Sequence, residues 1–88
     1  MHDKISDLVL KTIQESDEPL ETKEIQEKII TQIRGVTRTK IFYRLNLLRG
    51  EGLIKGKFVG PGKGVWIWWA ENNLLKNEQK RGENDNSS

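Results

Sequence analysis

The chain of 88 residues predicts an α+β fold, three helices followed by a two-stranded β-hairpin. Three observations lead there. Apolar residues recur at helical spacing in three successive stretches up to Gly50, each preceded by a residue able to cap a helix. After Glu51-Gly52 the composition becomes strand-like, "LIKGKFV" and "VWIWW", broken by the five-residue loop "GPGKG". Between the second and third helical stretches stands only "RGVT", a short glycine-containing turn of the kind that joins a helix-turn-helix.

The elements follow in order. Asp3 can cap the first helix, since its carboxylate accepts from the orphan backbone donors of the first turn. Ile5, Leu8, Val9 and Ile13 form its apolar stripe, and "SDEP" stops it near Ser16. Leu20, between acids, reads as an anchor in a short extended segment. Thr22 is the expected cap of the second helix, whose apolar residues are Ile25, Ile29, Ile30 and Ile33. Gly35 is placed to end it in a left-handed conformation, Val36 plugs the turn and Thr37 caps the third helix. That helix spans 38–50. Ile41, Leu45 and Leu48 lie on its core side, and Thr39, Tyr43, Asn46 and Gly50 lie opposite. Lys40, Phe42 and Leu47 flank the outer stripe; Phe42 and Leu47 are expected to pack against the hairpin or the second helix.

Loop length fixes the hairpin pairing. With five loop residues, Val59 faces Val65, Phe58 faces Trp66, Lys57 faces Ile67 and Gly56 faces Trp68. Alternation then collects Ile54, Gly56, Phe58, Trp66 and Trp68 on one face and Lys55, Lys57, Val59, Val65, Ile67 and Trp69 on the other. The lysines mark the second face as solvated, so Trp66 and Trp68 are expected to cover the helices, with Gly56 leaving room for the Trp68 indole. Trp69 is then at least half exposed, open to a partner or to Leu74 and Leu75 of the tail. The domain is expected to occupy 1–72. The stretch 73–88 reads as a tail, a short helix at most, with the composition of disorder beyond Lys80.

Charge separates along the chain. Residues 1–33 hold four lysines against eight acids; residues 34–69 hold eight basic residues against Glu51 alone. A basic half joined to an acidic half suggests one face meant for a polyanion. The absence of cysteine excludes a disulfide framework, a thiol nucleophile and a cysteine-ligated metal, and it fits a reducing, cytoplasmic setting. No apolar run approaches the ~20 residues that span a bilayer, and the N-terminus lacks the apolar segment of a signal peptide.

The run "IFYRLNLLRGEGLIKGKF", with Leu45 and Leu48 three apart and Gly52-Leu53-Ile54 leading into the hairpin, resembles the signature of the winged helix-turn-helix family. The likeness covers roughly residues 3–70. It implies that helix 38–50 enters the major groove of double-stranded DNA while the wing, residues 59–65, touches the backbone or minor groove. Carried onto this chain, the contact set is Thr37, Arg38, Thr39, Lys40, Tyr43, Asn46 and Lys63. The residue types suit the task. Asn46 can read adenine, Arg38 can read guanine or hold phosphate, and Lys40 and the helix start favour phosphate. Lys63 sits among the glycines of the wing tip. Arg44 and Arg49 are expected to reach around to the DNA backbone or to pair with acids of the first two helices.

Catalysis finds no support in the sequence, so no enzyme activity, cofactor or small-molecule ligand is expected. The single histidine, His2, has no second histidine or cysteine with which to build a metal site. "GPGKG" lacks the spacing, the Ser/Thr after lysine and the following helix of a phosphate loop. Three other readings remain open: a winged helix used for protein–protein contact through Leu47, Ile67 and Trp69, binding of structured RNA or single strands, and homodimerisation through the Ile67 and Trp69 face or residues 71–80.

Overall fold

A computed structural model describes residues 3–70. The expected tail 73–88 with Leu74 and Leu75, the boundary at residue 72, the 71–80 dimer segment and His2 all lie outside the described residues. The elements run α1 (Lys4–Gln14), β1 (Leu20–Glu21), α2 (Thr22–Ile29), α3 (Arg38–Gly50), β2 (Lys55–Val59) and β3 (Val65–Trp69). This is the expected α+β, winged helix-turn-helix arrangement, with one added strand.

α1 begins at the expected cap. Asp3 Oδ1 accepts the Ser6 N–H at 2.9 Å. That donor holds the Asp3 carboxyl below its ordinary pKa, helped by the nearby Arg44 guanidinium. Val9 and Ile13 are buried, and Ser16 closes the exit by donating its hydroxyl to Glu18 O at 2.7 Å. Leu20 is the anticipated anchor, but its burial also draws the backbone alongside β3. Leu20 pairs with Trp68 and Glu21 with Ile67, so the hairpin becomes a three-stranded antiparallel sheet ordered β1-β3-β2.

α2 departs from expectation at both ends. Its cap is Glu21, not Thr22: the Glu21 N–H donates to Glu24 Oε1 at 2.7 Å, closing a capping box. Thr22 is the first helical residue instead, and its Oγ1 accepts the Trp68 Nε1–H at 2.9 Å. The helix ends at Ile29, where the β-branched run Ile29-Ile30-Thr31 is poorly suited to continue it and Thr31 Oγ1 donates back to Lys28 O. The connection to α3 therefore occupies residues 30–37 rather than four. Gly35 does adopt φ +81°, Val36 is buried and Thr37 Oγ1 accepts the Lys40 N–H at 3.1 Å.

α3 spans the expected residues and buries Ile41, Leu45 and Leu48. The β2–β3 register is also as expected, from Lys55↔Trp69 to Val59↔Val65. The sorting of its faces holds at the base of the hairpin and fails toward the tip. Ile54 and Trp68 are sealed into the core and Trp66 is half-buried, but Phe58 remains 52% exposed because the strand has by then passed the end of the helical layer. On the opposite face Lys55, Lys57, Val59 and Val65 are exposed, whereas Ile67 and Trp69 are half-buried.

Candidate nucleic-acid interface

α3 divides lengthwise into two surfaces. Its inner line is fully buried; its first turns and outer line are open, with Thr37, Arg38, Thr39, Lys40 and Tyr43 all exposed and Asn46 half-buried. Thr39, Tyr43 and Asn46 thus lie along the outer side of α3, and Thr37, Arg38 and Lys40 stand at its start. Lys63 is carried by a different element, exposed in the loop between β2 and β3.

The neighbours of each side chain limit what it can do. Asn46 Nδ2 donates to Phe42 O at 3.0 Å, one turn back along the helix. Its second amide hydrogen and Oδ1 remain, the donor–acceptor pair that an adenine edge requires. Tyr43 is 56% exposed, with the Arg44 guanidinium 5.4 Å from its ring centroid. Arg44 is also ion-paired with Asp3, so the expectation that it would reach an acid of the first two helices is met at the start of α1. Arg49 instead lies over the Trp66 ring, 5.2 Å from its centroid, a cation–π contact that the charge pattern did not reveal. The flanking apolar residues divide. Phe42 meets Trp66 and Trp68 edge-on, at 6.2 and 5.8 Å between centroids, as a helix-to-hairpin contact should. Leu47 is 44% exposed.

Trp66 stacks on Trp68 at 5.2 Å with 19° between the rings, and Phe58 meets Trp66 edge-on. These rings are committed to one another and to Arg49. They form a wall joining α3 to the hairpin.

A shallow cleft of about 240 Å³ opens where this wall meets the starts of α2 and α3, lined by Glu21, Thr22, Lys23, Arg38, Val65 and Trp66. Sequence reading missed Lys23, counting it with the acidic half, although its place in the first turn of α2 was an available signal. It also missed Gln26. The Gln26 amide donates to Val36 O at 3.1 Å and accepts from Arg38 Nε at 3.1 Å, linking the middle of α2 to the start of α3. Among the described residues there is no group of three or more His, Asp or Glu that could hold a metal ion, and no helix is long and apolar enough to cross a membrane.

Neither a protein-family model nor a curated protein matches the sequence. Solved structures do match the fold. One is a HOP2 structure described in terms of DNA recognition, protein interaction domains and homologous DNA pairing, 24% identical over 75% of this chain and 97% of that one, TM-score 0.62. A PadR family transcription regulator from Clostridium difficile R20291 is 13% identical over 94% of this chain and 93% of that one, TM-score 0.63. The ferric uptake regulator Fur of Helicobacter pylori is 18% identical, TM-score 0.69; the match covers 80% of this chain but only 45% of the longer regulator. At such identities the likeness is one of architecture: the chain has the winged helix-turn-helix fold.

Proposed function

We propose that the chain is a small double-stranded DNA-binding protein of the transcription-regulator type, with α3 in the major groove and the wing, residues 59–65, on the backbone or minor groove. The observation that carries this reading is the split of α3. A helix whose inner line is sealed presents an outer surface of hydroxyl, amide, phenol and cationic groups, the donors and acceptors that base edges and phosphates need. Thr39, Tyr43 and Asn46 are the base-edge candidates. Lys40, Lys63 and the newly placed Lys23 supply backbone charge, and Thr37 closes the helix start. The HOP2 and PadR structures support the reading by analogy of fold.

The test is a titration of the chain with duplex DNA at several salt concentrations. A steep fall of affinity with salt is expected, and replacing Arg38, Lys40 and Lys63 together by Glu should lower the slope by roughly three, about 0.9 for each phosphate no longer neutralised. No binding at low salt would remove the reading. A second reading, contact with another protein, is favoured by the exposure of Leu47 beside Tyr43. Stable association that disappears in Leu47→Ser, with negligible duplex binding, would select it.

A further inference from the structure

Gln26 lies outside the surfaces assigned to DNA, yet its amide is held at both ends. It is half-buried on α2 and bonded at both ends of its amide: Nε2 donates to Val36 O in the connection, and Oε1 accepts from Nε of Arg38, the first residue of α3. The two partners fix the amide's orientation, since a flip would set its oxygen against a carbonyl and its nitrogen against an N–H. One planar group thus ties the turn and the start of α3 to α2.

The consequence falls on Arg38. Exposed arginines sample many rotamers, and ordering one on binding costs affinity. Here the chain is held at Nε, which leaves the Nη groups of the fork for a ligand. The held side chain does not lie on the outer stripe with Thr39 and Tyr43. It lines the cleft with Glu21, Thr22, Lys23, Val65 and Trp66, where a second cation and the first turn of α2 face the same space and the Glu21 carboxylate accepts from the α2 backbone in the capping box. Two cations at the side of a groove-reading helix suit a phosphate better than a base edge.

Building on the DNA-binding reading above, we propose that Gln26 is a positioning residue, holding Arg38 in the Lys23–Trp66 cleft so that the guanidinium seats a backbone phosphate and does not read guanine. The experiment is a set of fluorescence-anisotropy titrations of the full chain, over a range of salt, against several duplexes of unrelated sequence. Arg38→Ala should lower the salt slope by about 0.9 and weaken every duplex alike. Gln26→Ala should weaken binding about twofold to tenfold when Arg38 is present and have no effect when Arg38 is already Ala. Circular dichroism establishes that each variant is folded. Should Gln26→Ala fail to fold, Arg38→Lys reads the same coupling, since it keeps the charge and loses the planar fork. It should preserve the slope while affinity falls about twofold to tenfold.

Equal losses from Gln26→Ala with and without Arg38, unchanged affinity in Arg38→Lys, or an Arg38→Ala loss confined to particular sequences would each overturn the inference alone. Failure of the unaltered chain to bind any duplex would overturn the DNA-binding reading, and this inference with it.

Discussion

The base and the tip of the hairpin both depend on glycine, for opposite reasons. At the base, Gly56 lies in β2 directly across from Trp68, and a Cβ there would stand 2.5 Å from the indole ring. At the tip, Gly62 has nothing within 4 Å of a Cβ but holds φ +66°, a conformation that other residues adopt at a cost. One glycine is required by its surroundings, the other by its backbone. The base is therefore where the hairpin is attached to the helices, and the tip is where its shape is set for presenting Lys63.

Three substitutions probe that contrast. Trp68→Ala should cost the most, about 3–5 kcal/mol, because it empties the largest side chain in the core and strands the Thr22 hydroxyl. A denaturant midpoint that hardly moves would mean the base does not anchor the wing. Gly56→Ala adds a single carbon yet should cost about 1–3 kcal/mol, because the buried indole has nowhere to retreat. A neutral melt there would show the strands can part. Gly62→Ala should be mildest, about 1 kcal/mol from backbone strain alone. Its effect on duplex affinity should exceed its effect on stability, through the displaced Lys63; the reverse pattern would make the tip structural after all.

Legibility in the sequence follows the range of the forces involved. Local features read well. The caps Asp3 and Thr37, the bounds of α3, the hairpin register and the role of Gly56 follow from spacing, turn length and alternation, which act between neighbours along the chain or across one turn. What failed depends on contacts between distant residues. The strand at Leu20 exists because β3 comes alongside it, and Thr22 serves Trp68, 46 residues away, while the cap is taken by Glu21. The α2 terminus moved because a β-branched run outweighed the isoleucine periodicity. Phe58 alternates correctly but lies beyond the helices that would cover it. For the candidate site, the open face of α3 was legible because periodicity separates buried from exposed. The cleft was not, because Lys23, Arg38 and Trp66 meet only through the packing of three elements.

The strand order also bears on edge-to-edge association. β3 is the middle strand, so among the described residues the sheet has two outer edges where another chain could add hydrogen bonds. The β1 edge is only two residues long, too short to template much pairing. The β2 edge is longer, and there Lys55 and Lys57 are exposed on either side of Gly56. Repeated lysine along an edge repels a like strand, and a glycine between gives it little to grip. Lys55 and Lys57 thus set like charge along this edge, close to the exposed Phe58, Val59 and Val65, and that charge opposes edge-to-edge pairing of two copies.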